Sequence, residues 1–255
     1  MKKFIKSFLS ISITSYILIG SYIYFNQDKL LYFPTPKAQN TYKEKIFINQ
    51  NESIYATLIN EGKEKVIIYL GGNAEDVDTN YHKFSKAFKQ HTIYLVQYRG
   101  YANSTGTPIE KNLYADALFI YDAIKDKYKD ISVIGRSLGT GVATYLASKR
   151  EVNKLVLVTP YDSIESIAQS RYFYYPISIL LRDKYDSISR IDAIKAPTLI
   201  IYAQNDETIR KKHTDKLVSQ FPSSQISIKT IENTGHSSIL ESPKYYTLIK
   251  EFLNY

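Results

Sequence analysis

The sequence contains no cysteine and no tryptophan, only one methionine, and few histidines. Without cysteine there is no disulfide, no thiolate nucleophile and no metal site built on sulfur. Chemistry that needs an imidazole has four candidates, which are His82, His91, His213 and His236. The scarcity of these residue types leaves serine as the natural nucleophile for any covalent catalysis.

A long run of basic residues is also absent from the body of the chain. The 255 residues carry a net charge of +8, and three of the positive charges are Lys2, Lys3 and Lys6 at the N-terminus. The other positive charges are dispersed, whereas nucleic-acid binding needs clustered Lys and Arg on a recognisable motif. We therefore expect no nucleic-acid partner. With 44% hydrophobic and 23% charged residues, the composition indicates one globular domain and a short additional segment.

The N-terminal segment is uncharged from Ser7 to Gln27. Roughly 20 apolar residues cross a bilayer core of about 30 Å, so the segment is long enough to span one. The preceding lysines favour a cytoplasmic N-terminus, and Tyr22, Tyr24 and Phe25 suit the opposite interface. We predict a single-pass anchor over 1–27 with an extracytoplasmic catalytic domain. A signal peptide cleaved after Ser21 is the alternative.

Strand-like and helix-like segments alternate after a lead-in at 28–43. Continuous apolar runs such as VIIYLGG (66–72) and TLIIYA (198–203) are typical of strands buried on both faces. They predict an α/β fold with a mainly parallel sheet flanked by helices, over 44–255. The segment 161–195 is longer than an ordinary connection, and we interpret it as a short helical cap over the carboxyl edge of the sheet.

The motif GRSLG (135–139) follows the predicted strand ISVI and opens a predicted helix. A serine on such a sharp turn projects its hydroxyl at the edge of the sheet, and the flanking glycines let strand and helix approach each other. This context favours Ser137 as a nucleophile over a simple helix cap.

A serine nucleophile needs a base and an orienting acid, which follow it in the order acid and then histidine on this kind of sheet. His236 lies after the last predicted strand, where a base must lie, whereas His213 lies in a polar helix and is interpreted as solvated or capping. Asp206 follows the strand TLIIYA and is the predicted acid, with Asp162 as the alternative.

Two backbone amides are needed to bind the oxyanion of the intermediate. The amide of Leu138, directly after the nucleophile, is the first predicted donor. The amide of Asn73, in the loop after VIIYL, is the second. The sequence has neither a P-loop lysine nor G-x-G-x-x-G, so we predict no nucleotide ligand.

Together with GRSLG, the segments LGGNAED (70–76), YRGYANSTGTP (98–108), PTLIIYAQNDETI (197–209) and NTGHSS (233–238) resemble the α/β-hydrolase superfamily. More narrowly, the anchor and the following QDKLLYFP (27–34) resemble the membrane-anchored ABHD-type serine hydrolases. The resemblance implies hydrolysis of esters or thioesters, often of lipid-like molecules, without metal or cofactor. Relatives usually carry histidine at Gly71, and Arg99 in the Y-R-G turn is expected to form a structural salt link or hydrogen bond.

We therefore predict a serine ester or thioester hydrolase whose partner is a small or lipid-like ester. Aromatic and aliphatic residues of the predicted cap, such as Tyr172 to Ile177, suit an acyl chain. Two alternatives remain open on the same fold, namely a serine peptidase and an inactive membrane-tethered binding protein.

Overall fold

The centre of the molecule is one eight-stranded sheet. It is seen in a computed structural model that describes residues 1–37 and 39–254, so Ala38 of the predicted lead-in and Tyr255 of the predicted catalytic domain lie outside the described residues. The strands are β1 (Glu44–Asn49), β2 (Glu52–Ile59), β3 (Lys65–Leu70), β4 (His91–Val96), β5 (Asp130–Arg136), β6 (Lys154–Val158), β7 (Thr198–Ala203) and β8 (Ile226–Ile231).

The strand order is β1-β2-β4-β3-β5-β6-β7-β8. The β1–β2 and β2–β4 pairs are antiparallel, and every other neighbouring pair is parallel. Gln50 and Asn51 join β1 to β2 with φ values of 53° and 64°. Two consecutive positive φ angles are typical of the tight turn whose twist matches that of a hairpin. The prediction of a mainly parallel sheet is confirmed.

Helices cover both faces of the sheet, as a parallel sheet requires. The helices of the body are α2 (Tyr81–Ala87), α3 (Glu110–Ile124), α4 (Leu138–Lys149), α5 (Ile164–Arg171), α6 (Ile177–Leu180), α7 (Lys211–Val218) and α8 (Pro243–Asn254), after an N-terminal α1 (Lys2–Leu31). One apolar core joins α3 and α4 to one face, for example through Ile120 and Val142. A second core joins α2 and α8 to the other face through Phe84 and Ile249.

Arg99, in the turn after β4, forms a buried ion pair with Asp116 on α3. Its Nε and Nη2 atoms donate to the carboxylate at 2.9 and 2.5 Å, and both side chains are almost fully buried. The expected structural salt link at this turn is confirmed. It fixes the loop that follows β4 against the first helix of the next crossover.

Among the described residues, α1 is the one helix whose length and composition suit a membrane span. It extends from Lys2 to Leu31, so it continues past the predicted anchor into the lead-in, and Gln27 is its one buried residue. The C-terminal half of α1 lies along the connection between β6 and β7 (residues 159–197), which contains α5, α6 and a short 3₁₀ helix.

Candidate active site

Ser137 lies on the sharp turn between β5 and α4. Its φ of 49° and ψ of −120° are a conformation that residues with a side chain seldom adopt, and such strain concentrates at functional sites. The two flanking glycines make the turn possible. A Cβ on Gly139 would lie 2.0 Å from the carbonyl oxygen of Leu70, and one on Gly135 would lie 2.6 Å from that of Gly139.

His236 and Asp206 extend from Ser137 in one hydrogen-bonded line. The Nε2 atom of His236 lies 2.8 Å from Ser137 Oγ, and its Nδ1 atom lies 2.9 Å from Asp206 Oδ2. His236 comes from the loop after β8, and Asp206 follows β7, so three strand ends supply the three side chains. All three predicted residues are thus brought together in a geometry that can pass the hydroxyl proton to the imidazole.

The carboxylate of Asp206 is held by its own loop. Its Oδ1 atom accepts hydrogen bonds from the amides of Thr208 and Ile209 at 2.9 and 2.7 Å. These two hydrogen bonds within the loop and the contact of Asp206 with His236 therefore coexist. The amides leave Oδ2 directed at the imidazole, which fixes the ring's orientation.

The alternative acid, Asp162, is engaged elsewhere. It is fully buried and lies 2.9 Å from both His213 Nδ1 and Lys216 Nζ. Burial alone would raise the pKa of Asp162, but hydrogen bonds from Lys216, Ser166 and His213 lower it overall. The interpretation of His213 as a solvated or capping residue is wrong, because its side chain is buried against this carboxylate. This group braces α7 against the end of β6.

The backbone amides of Leu138 and Asn73, the two predicted oxyanion donors, have no intramolecular acceptor among the described residues. Leu138 opens α4, where an amide has no partner within the helix. The side chain of Asn73 also bonds to its surroundings: its Nδ2 donates to Leu31 O at 2.5 Å, and its Oδ1 accepts from Phe33 N and Tyr101 Oη. The loop is thereby tied to the chain that leaves α1.

Gly71, where relatives usually carry histidine, is tightly enclosed. A Cβ at this position would lie 2.6 Å from Cγ1 of Val77 and 3.2 Å from Oε2 of Glu75. Its carbonyl oxygen accepts a hydrogen bond from Tyr98 Oη at 2.8 Å. The loop after β3 thus packs tightly around a glycine. Its position is set by Val77, Glu75 and Tyr98, and not by a histidine side chain at position 71.

A buried ion pair between Glu75 and Arg136 supports the same loop, and the sequence analysis missed it. Glu75 Oε2 accepts from Arg136 Nη1 at 2.8 Å and from the amide of Gly72 at 2.5 Å. Its Oε1 accepts from Tyr69 Oη and Asn80 Nδ2 at 2.6 and 2.8 Å. Burial alone would raise the pKa of Glu75, but Arg136 and these donors lower it, so the carboxylate stays ionised.

Arg136 also reaches the loop of the proposed base. Its Nη2 donates to the carbonyl oxygen of His236 at 3.0 Å, and the amide of His236 in turn donates to Glu207 at 3.3 Å. The sequence does show an arginine directly before the serine of GRSLG and acidic residues in LGGNAED. Neither motif indicates that these charges pair with each other.

The chain resembles several known proteins over most of its length. It is 28% identical over 218 residues to an uncharacterized protein of Mycobacterium tuberculosis, covering 78% of this chain and 76% of that one. It is 29% identical over 166 residues to the alpha/beta hydrolase domain-containing protein aho-3 of Caenorhabditis elegans, covering 64% and 48%. It is 28% identical over 226 residues to the lysophosphatidylserine lipase ABHD12 of Danio rerio, covering 76% and 59%.

The match thus spans about half to three quarters of these relatives. No family model matches the chain. Among solved structures, the Pyrococcus furiosus esterase Pf2001 superposes with a TM-score of 0.67 at 17% identity, covering 88% of this chain and 97% of that one. The fold is that of the α/β-hydrolases, and the resemblance to ABHD-type proteins is confirmed.

Proposed function

We propose that this chain, which has the α/β-hydrolase fold and resembles the ABHD-type proteins, is a membrane-anchored serine hydrolase that cleaves carboxylic esters or thioesters. The observation that carries the proposal is the hydrogen-bonded line from Ser137 through His236 to Asp206. It starts from a serine with positive φ at the N-terminus of α4. Relatives and structural neighbours named hydrolase, lipase and esterase support hydrolysis as the reaction.

In the proposed mechanism, His236 removes the proton from Ser137 Oγ as this oxygen attacks the acyl carbon. The amides of Leu138 and Asn73 donate to the oxyanion that forms, and the N-terminus of α4 favours the same negative charge. Asp206 orients the imidazole and stabilises its cationic form.

The intermediate then collapses. His236 gives its proton to the departing alcohol or thiol, and the acyl group stays on Ser137. A water molecule, deprotonated by His236, attacks this acyl-enzyme and releases the carboxylic acid through a second tetrahedral intermediate. The proton returns to Ser137, so the enzyme ends in its starting state.

We propose that α1 holds the catalytic body at a membrane. The helix is long and apolar, its side chains are almost all exposed, and three lysines precede its uncharged part. Lysines on this side favour a cytoplasmic N-terminus and a catalytic domain on the other side. A bilayer beside the active site suits a lipid-like or acylated substrate, and the lipase among the relatives supports this class.

Labelling with a fluorophosphonate probe tests the proposed nucleophile. The full chain in detergent micelles should be labelled, and Ser137→Ala should abolish labelling because the attacking oxygen is lost. Ser166→Ala is the matched control, since Ser166 also lies beside a histidine and an aspartate, at 3.4 Å from His213 Nδ1. This control should keep the native labelling.

Two results would overturn the proposal. One is a folded native chain that is not labelled at all, which would favour a binding protein on the same scaffold. The other is labelling that survives in Ser137→Ala. Parallel assays with p-nitrophenyl esters, thioesters and peptide p-nitroanilides distinguish an esterase from a peptidase, and turnover of the anilides alone would replace the ester assignment.

A further inference from the structure

Residues 172–181 form an uncharged, aromatic and aliphatic segment between two arginines, Arg171 and Arg182. We refer to YFYYPISILL as the cap segment. Its large side chains are unusually exposed, at 65% for Phe173, 68% for Tyr174 and 79% for Ile179. A water-soluble surface seldom presents such a contiguous apolar patch, and a patch of this kind marks a site of interaction.

The cap segment lies along α1. The ring of Tyr175 stacks on that of Tyr16 with centroids 4.6 Å apart, and Tyr16 Oη donates to the carbonyl oxygen of Tyr174 at 2.6 Å. Gly20 leaves room for the same ring, since a Cβ there would lie 3.1 Å from Cε1 of Tyr175. These contacts join the exposed apolar patch to an exposed apolar helix, so the two surfaces are continuous.

At its other end the cap segment meets α1 through polar and charged groups. Gln27 donates to the carbonyl oxygen of Leu180 at 3.2 Å and accepts from the amide of Arg182 at 2.7 Å. Arg182 also pairs with Asp28 at 2.8 Å. The charges therefore lie where the uncharged part of α1 ends, as expected at a membrane–water interface.

The position of Tyr16 along α1 gives the depth of the cap segment. Eleven residues separate Tyr16 from Gln27, which is about 16 Å at the helical rise. The hydrocarbon core is about 30 Å thick, so a helix that spans it between Ser7 and Gln27 places Tyr16 near the midplane. The cap segment, which contacts α1 from Tyr16 to Asp28, then lies beside the outer half of the span.

Most backbone carbonyl groups of the cap segment are satisfied within the protein. This matters in an apolar environment, because an unpaired polar backbone group costs several kcal/mol in the hydrocarbon core. Seven of the ten carbonyl oxygens accept a hydrogen bond within the protein, those of residues 172, 174, 175, 176, 177, 178 and 180. The donors include Tyr16 and Gln27 of α1, so helix and cap segment satisfy each other.

We propose that the cap segment inserts into the outer leaflet of the bilayer beside α1, with Phe173, Tyr174 and Ile179 among the acyl chains. Arg182, which pairs with Asp28 where the uncharged part of α1 ends, then lies at the level of the lipid phosphates. The inference rests on the membrane anchoring proposed above. Because the same connection leads from β6 to β7, whose carboxyl end is followed by Asp206, a bilayer lipid lies against the elements that build the site.

The absence of tryptophan from the native chain makes this insertion directly measurable. Single tryptophans are introduced at exposed positions as Phe173→Trp and Ile179→Trp in the cap segment. Ile17→Trp reports on α1 beside Tyr16, and Ile228→Trp on β8 reports on the body. The full chain is reconstituted into phosphatidylcholine vesicles, with or without lipids brominated in the middle of the acyl chain.

The expected result is bromolipid quenching of both cap reporters to an extent approaching that of the Ile17→Trp reporter, with no quenching of the Ile228→Trp reporter. Cap reporters that are no more quenched than the Ile228→Trp reporter overturn the proposal. Blue-shifted emission without quenching does so too, because it places another protein copy on the segment. The Ile17→Trp reporter shows separately whether α1 itself is in the bilayer, and fluorophosphonate labelling of the same preparations reports on the proposed hydrolase.

A kinetic test addresses the same surface. Ile179→Asp should lower hydrolysis of a vesicle-borne ester several-fold and leave hydrolysis of a soluble short-chain ester unchanged, because Ile179 is 79% exposed on the surface of the cap segment. Ile228→Asp should change neither rate. Equal vesicle rates for the two variants would contradict insertion of the cap segment.

Discussion

Arg136 connects the turn of Ser137 to both neighbouring loops of the proposed site. It pairs with Glu75, which holds the Gly72 amide before the oxyanion loop, and it donates to the backbone of His236. Burial alone would lower the pKa of Arg136, but Glu75 raises it overall. A buried, ionised pair of this kind is costly to break, because the partner left behind stays buried and uncompensated.

We predict that Glu75→Gln lowers the free energy of unfolding by about 3–5 kcal/mol, the range for breaking a buried ion pair. Asp122→Asn is the matched control, because its ion pair with Arg150 is half-exposed and such pairs contribute under about 1 kcal/mol. Denaturant titration in detergent micelles measures both. Equal losses for the two variants would contradict the structural importance of the Glu75 pair.

The same pair is expected to position the loops, which a purely stabilising contact would not do. Under conditions where Glu75→Gln remains folded, its rate of fluorophosphonate labelling should fall, since the oxyanion loop and the His236 loop both lose their tether. Asp122→Asn should label at the native rate. A native labelling rate in folded Glu75→Gln would show that the pair acts on stability alone.

At the scale of elements, the strands were predictable and several side-chain partnerships were not. The apolar runs VIIYL, ISVI and TLIIYA lie in β3, β5 and β7, because a strand buried in a parallel sheet has no polar face to interrupt its run. The meeting of Ser137, Asp206 and His236 was also predictable, because they follow β5, β7 and β8 and the carboxyl ends of parallel strands lie at the same edge of a sheet. Helix ends were less predictable, and α1 continues past the end of the predicted anchor over 1–27 to Leu31.

Buried polar partners escaped prediction because their sequence neighbours are uninformative. His213 lies among lysines and an aspartate, a pattern typical of a solvated helix, yet it is buried against Asp162 from a different element. Glu75 and Arg136 are likewise 61 residues apart. Periodicity shows which face of an element is apolar, but it carries no information on which distant charge satisfies a polar group on that face.

Strand β4 begins with a buried histidine, His91. Its protonation should make the free energy of unfolding depend on pH. Burial, reinforced by Lys65, lowers the pKa of His91 from 6.5 to about 4. Between these pH values the unfolded chain binds more protons than the folded chain, so stability is present above pH 6.5 and falls as the pH drops toward 4. The shift corresponds to about 3 kcal/mol.

We predict that His91→Gln, which cannot be protonated, loses less stability between pH 6.5 and 4 than the native chain does. His82→Gln serves as the control because His82 is exposed. Denaturant midpoints across this pH range measure the effect as a difference between variants, so other titrating groups cancel. A His91→Gln profile parallel to that of His82→Gln would show that His91 does not contribute to the acid sensitivity.

At the scale of the whole molecule, α1 and the chain that follows it are built into the body. Leu31 and Phe33 bond to the side chain of Asn73, beside the proposed oxyanion donor. Tyr32 points into the apolar core and is buried. The N-terminal helix α1, the loop of Asn73 and the β6–β7 connection therefore meet at one place, so a movement of α1 acts directly on the elements of the proposed site.

Tyr32 is the central contact of this junction. Its Oη donates to Asp183 Oδ2 at 2.6 Å and lies 2.8 Å from Tyr185 Oη. Burial, with Asp183 nearby, raises the pKa of Tyr32, so the phenol keeps its proton and remains a donor. The carboxylate of Asp183 also accepts from the amide of Glu110 at 3.1 Å, which extends the junction to the start of α3.

We predict that Tyr32→Phe destabilises the whole chain by about 1.5–3 kcal/mol, the range for a hydrogen bond to a charged group, because Asp183 loses a buried donor. Tyr22→Phe is the control, since Tyr22 lies on the same helix and is exposed. Thermal unfolding in detergent micelles measures both variants, and the control should match the native chain. If the anchor were a passive tether, the two variants would unfold at the same temperature. A lower Tm for Tyr32→Phe alone would instead show that the chain leaving α1 contributes to the stability of the body.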